Sequence, residues 1–158
     1  MDEHDRSHLR RCVELAAEAL DAGDEPFGSV LVSAAGDVLA EERNRVASVD
    51  ATRHPEFELA RWAAEHLPPA ERAGATVYTS GEHCPMCSAA HAWAGLGRIV
   101  HVASARRHAQ WLQEWGVGAG RVRALPVNDV APAVPVEGPD PDLEPEIREL
   151  HRRFHGGR

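Results

Sequence analysis

"TVYTSGEHCPMCSAAHAWAGLGRIVHVAS", residues 76–104, decides the fold. It begins with a short run of β-branched and aromatic residues up to Ser80, of the kind that fills a buried strand. Pro85 then opens a small-residue stretch that reads as a helix closed by glycine. The segment from Arg98 to Ser104, with Ile99, Val100 and Val102, is strand-like again. Strand, helix and strand in this order is the alternation of a sheet covered by helices. At the mouth of the helix stand Cys84 and Cys87, three apart. They could be a metal clamp, a redox pair or two buried thiols.

Outward from this stretch the pattern continues. Leu9, Cys12, Val13, Ala16 and Leu20 recur at helical spacing, and Gly23 follows as a stop. "FGSVLVS" and "VLAEERNRV" flank "AAGD" as a hairpin. "PEFELARWAAEHL" is a helix with Pro55 in its first turn, ended by Pro68 and Pro69. "ARRHAQWLQEWG" is another helix and "RVRALPV" a fifth strand. The proline-rich acidic run "NDVAPAVPVEGPDPDLEP" reads as a surface connection before a last helix, "PEIRELHRRF". The order α-β-β-α-β-α-β-α-β-α predicts one α/β domain over residues 1–158, a three-layer α/β/α sandwich on a mixed five-stranded sheet. Residues 128–158 are its surface connection and closing helix.

Composition narrows the function. The net charge of −8 argues against a broad nucleic-acid footprint, and all 17 basic residues are arginines. Without lysine there is no Schiff-base lysine and no phosphate-loop lysine. The N-terminus lacks an apolar leader and no run approaches a bilayer span, so a cytoplasmic chain without membrane contact is expected. Three cysteines, an odd number, do not suggest a disulfide framework.

A third ligand separates the readings of Cys84 and Cys87. Catalytic zinc takes three protein donors and keeps one position open. "RHPEFELA" sets His54 and Glu56 two apart at a helix start. His54 can complete the donor set while Glu56 stands beside the metal and handles protons. Both cysteines also sit at a helix start, where the dipole favours thiolates.

His-x-Glu followed by Cys-x-x-Cys is the pattern of the zinc deaminases. The sequence resembles the cytidine and deoxycytidylate deaminase superfamily, and within it the bacterial branch of guanine deaminases and tRNA adenosine deaminases. The resemblance covers about the first two-thirds of the chain. It rests on "EPFGSVLV", "RNRV", "HPE", "YTSGEHCPMC" and "SAAHAWAGLGRIV". Two positions depart from the family pattern: Pro55 stands where alanine is usual, and His83 where proline is usual.

The resemblance implies a zinc-dependent hydrolytic deaminase of a free nucleobase or related heterocycle: a guanine-like purine, a cytosine-like pyrimidine or an amino-triazine. Zn2+ would be held by His54, Cys84 and Cys87, with Glu56 as proton carrier. Asn44, Phe27, Pro55, Gly81, Glu82 and His83 would line the substrate pocket; capping is the competing role for Glu82 and core packing for Phe27. A homodimer is implied, and in guanine deaminases the C-terminal end can cover the active site. The competing readings are a tRNA adenosine deaminase, which needs a basic surface, and a non-catalytic zinc module.

Overall fold

The computed structural model describes residues 1–156. Its elements are α1 (Glu3–Asp21), β1 (Gly28–Val32), β2 (Val38–Arg43), α2 (Pro55–His66), α3 (Pro69–Gly74), β3 (Thr76–Gly81), α4 (Pro85–Trp93), β4 (Ile99–Ala103), α5 (Ala105–Glu114), α6 (Val127–Val130), β5 (Val136–Glu137) and α7 (Glu144–Gly156). The sheet order is β2-β1-β3-β4-β5. β1 pairs antiparallel with β2 and β3, whereas β3, β4 and β5 run parallel. The sheet is therefore mixed, as the alternation predicts.

Strand periodicity assigns the two layers. Val30, Val32, Tyr78, Val100 and Val102 face a core with Leu9, Cys12, Val13 and Ala16 of α1, Trp111 of α5, and Ile147 and Leu150 of α7. Leu31 and Val77 face the other way, onto Leu59, Ala60 and Ala63 of α2. β1 and β4 are buried throughout, which is why they read as unbroken apolar runs. α1 lies so close to β1 that a Cβ on Gly28 would sit 2.4 Å from Leu15 Cβ and 2.5 Å from Cys12 O. Only glycine fits at that crossing.

The fifth strand differs from expectation. "RVRALPV" is not a strand; Val122 is exposed, and Val127 begins α6. Its valines and leucine suit a strand, but the edge beside β4 is taken by Val136 and Glu137, paired with Ile99 and Val100. Pro135 and Pro139 bracket this strand and hold it to two residues. The segment expected to be a surface connection thus supplies the edge of the sheet. Pro68 and Pro69 do end α2, but Pro69 also opens the short α3.

Candidate active site

The site lies where β3 ends and the N-termini of α2 and α4 meet. His54 is the N-cap of α2 with extended backbone (φ −83°, ψ 137°), and Pro55 occupies the first helical position. Cys84 is the N-cap of α4, followed by Pro85, with Cys87 in the first turn. Each proline has a fixed φ suited to helix entry and lacks the N–H that would be orphaned there. The unusual Pro55 therefore costs the site nothing locally.

His54, Cys84 and Cys87 each bring one donor atom within 4.8 Å of the others. His54 Nδ1 lies 3.5 Å from Cys84 Sγ, and the Cys87 N–H donates to Cys84 Sγ at 3.5 Å. A hydrogen bond from the Cys87 thiol, opposed by burial and helped by His54, brings the Cys84 thiol down to about 4. The same bond, with burial, pushes Cys87 well above the usual thiol range. His54 is raised to about 9 by its bond to Cys84, against burial. Three donors that share protons among themselves are a cation site in its protonated form. Ligands at one tetrahedral zinc, with bonds of about 2.0 Å to nitrogen and 2.3 Å to sulfur, lie about 3.5 Å apart. The His54–Cys84 separation matches that edge, and one imidazole with two sulfurs is a zinc donor set. The residues present fit the metal.

Glu56 is the second residue of α2 and is almost fully buried. Its Oε1 accepts from Thr79 Oγ1 at 2.8 Å and lies 3.2 Å from Ser29 Oγ, while Ser29 Oγ is 2.9 Å from Thr79 Oγ1. Ser29 and Thr79 are paired across β1 and β3, on the face that meets α2. Burial raises the Glu56 carboxyl above its usual value, against the lowering effect of His54 and the Thr79 hydroxyl. A carboxyl raised by burial and held by hydroxyls can both take and give a proton. Ser29 and Thr79 were not singled out in the sequence. Polar residues within buried strands were the available signal, since such groups need partners.

Asn44 is buried, and its Oδ1 accepts from the Val46 N–H at 2.8 Å, which leaves the amide NH2 as donor. Its own N–H bonds Phe27 O at 3.0 Å, joining two expected pocket residues. Asp24, also missed, organises this loop. Its carboxylate accepts from Ala47 N, Ser48 N, Ser48 Oγ and Arg43 Nη1 at 2.8 to 3.1 Å. Phe27 packs on Gly81: a Cβ there would meet Phe27 Cε1 at 2.6 Å. Pro55 is buried beside Glu56.

Glu82 is engaged elsewhere, and His83 is buried without a hydrogen bond to its ring. Glu82 accepts from Ala105 N and Val127 N, both at 2.9 Å, and so caps α5 and α6; its N–H bonds Ala103 O. Of its two expected roles the structure shows the cap, with both side-chain oxygens and the N–H already used. His83 is buried with its ring edge-on to His91, 5.3 Å between centroids, and both its ring nitrogens lack hydrogen-bond partners. Burial and the neighbouring His91 and His101 push it well below the ordinary imidazole range.

Comparison with known proteins supports this geometry. Residues 2–103 match the model of the cytidine and deoxycytidylate deaminase zinc-binding region. The chain is 31% identical to a probable cytosine deaminase of Schizosaccharomyces pombe, over 99% of this chain and 96% of that protein. It is 35% identical to a tRNA-specific adenosine deaminase of Agrobacterium fabrum, over 61% of this chain and 64% of the other. The solved guanine deaminase of Bacillus subtilis superposes with a TM-score of 0.59 at 31% identity, covering 80% of this chain and 83% of that one. A match to a zinc-binding family region, with three donors brought together, favours the metal reading of Cys84 and Cys87 over the redox reading.

Proposed function

Because the chain belongs to the cytidine and deoxycytidylate deaminase family, we propose that it hydrolyses the amino group from a free nucleobase or close heterocycle. Its substrates are a cytosine-like pyrimidine first, then a guanine-like purine or amino-triazine. The observation that carries this reading is Glu56, buried two residues beyond His54 and hydrogen-bonded by Thr79. His54, Cys84 and Cys87 would hold zinc, which would supply the Lewis acidity that lets a water lose its proton near neutral pH.

The chain's own residues do the rest. Glu56 takes a proton from the attacking water and delivers it to the ring nitrogen beside the amino-bearing carbon. That carbon gains a C–O bond. Glu56 then carries the second proton to the amino nitrogen as the C–N bond breaks. The products are the keto base and ammonia. Ser29 and Thr79 hold the carboxylate in place through both transfers. Asn44 offers its amide NH2 to a ring acceptor, and Phe27 forms a flat apolar wall.

Two observations favour a free base over a tRNA stem-loop. The net charge of −8 gives phosphates no broad partner surface. The similarity to the cytosine deaminase relative runs through the C-terminal segment, where α7 packs His151 against Phe27. The test is ammonia release from cytosine, guanine, an amino-triazine and an adenosine-bearing anticodon stem-loop, with Glu56→Ala as control. Release from a free base, lost in the variant, supports the proposal. Release from the stem-loop alone overturns it.

A further inference from the structure

Glu25, His108, His151 and His155 take no part in the chemistry above, yet they converge. One carboxylate oxygen and three imidazole nitrogens come within 4.8 Å of one another. Glu25 lies in the loop between α1 and β1, His108 in α5, and His151 and His155 in α7. The α7 pair is four residues apart, which places both on one helix face, and their rings are 14° from parallel. His108 Nε2 lies 3.2 Å from His151 Nδ1. Glu25 Oε1 is 3.9 Å from His108 Nε2 and 3.7 Å from His155 Nε2.

These separations leave the group incompletely satisfied. The His108–His151 contact uses one nitrogen of each ring. At 3.7 Å, His155 Nε2 is too far from Glu25 for a hydrogen bond, and it is buried with no partner. A buried polar atom in that state costs free energy. Burial also lowers His108 and pushes His151 well below the ordinary imidazole range, so both rings present neutral nitrogens, the form that binds metals.

We propose that Glu25, His108, His151 and His155 form a second metal centre, distinct from the His54–Cys84–Cys87 site, for a divalent first-row ion such as zinc. Three imidazoles and one carboxylate suit zinc, cobalt or nickel, not calcium or magnesium. Nitrogens on one tetrahedral ion with bonds of about 2.0 Å lie about 3.3 Å apart, close to the 3.2 Å between His108 and His151. Glu25 lies 3.9 and 3.7 Å from its imidazole neighbours and no two donors are more than 4.8 Å apart, so Glu25 and His155, both partly exposed, need to close by about 1.5 Å at most to join them.

With four protein donors the centre is closed, so its role is structural. It ties α5 and α7 to the loop that leads into Phe27. Phe27 lies edge-on to His108 at 5.4 Å and to His151 at 4.7 Å, and against Gly81 on its way to the pocket. An ion there fixes one wall of the pocket.

Cobalt(II) separates the two centres, because thiolate ligands give a sulfur-to-cobalt charge-transfer band that imidazole and carboxylate do not. The full chain is stripped of metal, reloaded with cobalt, and measured for bound ions and near-ultraviolet absorption. Wild type is expected to bind two ions per chain. Cys84→Ser/Cys87→Ser keeps one and loses the sulfur band; His151→Ala/His155→Ala keeps one and retains the band. Since His151 is buried, Glu25→Gln/His155→Asn, at partly exposed positions, is the second variant, with at least tenfold weaker binding of the second ion. A wild-type chain that takes one ion, and a cysteine variant that takes none, overturns the proposal. Neither result bears on the deaminase reading, whose readout is ammonia.

Discussion

Glu56 and Asp5 are both buried carboxylates, at opposite ends of the parallel strands, and they shift in opposite directions because only the partners of Asp5 outweigh burial. Glu56 stands at the C-terminal end of β3 among hydroxyls, and burial raises it. Asp5 stands at the other end. It accepts from Arg98 Nη1 and Nη2 at 3.1 and 2.9 Å, from Tyr78 at 2.8 Å and from Asp2 N at 2.8 Å. Burial alone would raise Asp5, but the Arg98 guanidinium and these donors outweigh it and hold the carboxyl well below the usual range. Weak donors leave a carboxylate free to exchange its proton, and a guanidinium locks it. The locked end holds the fold, and the unlocked end can do chemistry. Ligands of open α/β sheets bind at the carboxyl ends of the strands for related reasons of geometry.

The largest effect should come at the unlocked end. Glu56→Ala removes the proton carrier and should lower kcat about a thousandfold, within the usual range for general acid–base catalysis. That is about 4 kcal/mol of barrier. Zinc content and thermal midpoint should stay near wild type, since the three ligands are intact. Elemental analysis beside the ammonia assay checks this. A variant that loses zinc along with activity would make Glu56 a support of the metal and dissolve the contrast with Asp5.

At the locked end the effect should appear in stability instead. Asp5→Asn leaves Arg98 without its buried partner and should cost about 2–3 kcal/mol at neutral pH, discounted because Arg98 is 30% exposed. For a chain of this length that is a drop of about 5–10 °C in Tm. The sign with pH follows from the depressed carboxyl. Its contribution is full above the unfolded value of about 4 and fades as pH falls through the folded value. Wild type and variant should therefore converge in acid. Melting curves from pH 7 down to pH 3 test this, and a gap that widens in acid would show the pairing is not the source.

The catalytic end was the more legible in sequence, and the reason is locality. His54 with Glu56, and Cys84 with Cys87, each sit within one helix turn, so their spacing marks candidates that the resemblance to deaminases then joins. Pro55 and Pro85 mark both helix starts. What was hidden depends on contacts between distant segments. Ser29 and Thr79 serve Glu56 only because β1 pairs with β3. Asp24 orders the Asn44 loop from the end of α1. The second imidazole cluster draws on three elements, and only His151 and His155 share a helix face. The short fifth strand was invisible for a related reason. A two-residue strand beside prolines carries no period, while Arg121 to Val127 reads as a strand from its apolar residues and stays out of the sheet.

A smaller effect tests whether the hydroxyls tune Glu56 or merely fill space. Thr79→Val keeps the shape and removes the bond to Oε1. It should lower kcat about tenfold, or about 1.4 kcal/mol, with zinc unchanged. Thr79→Ser should restore most of the rate, because the hydroxyl returns. If Thr79→Ser is as slow as Thr79→Val, packing of the methyl matters and the hydroxyl does not.

Glu82 is a third carboxylate, between the two extremes, and should give the smallest effect. It neither carries protons in the proposed reaction nor pairs with an arginine; it accepts from the first N–H of α5 and of α6. Glu82→Gln keeps one acceptor oxygen and turns an NH2 toward the other helix end, losing one capping bond and the favourable charge. The cost should be about 1 kcal/mol, a fall of about 2–4 °C in Tm. Turnover should remain within about twofold, since a cap that keeps its main bond barely moves the site. The resemblance to deaminases implied that Glu82 touches the substrate, and this variant decides between the two roles. A rate that collapses while Tm holds would return Glu82 to the pocket. A lower Tm with an intact rate leaves it as the clamp that fixes α5 and α6 to the end of β3, two residues before Cys84.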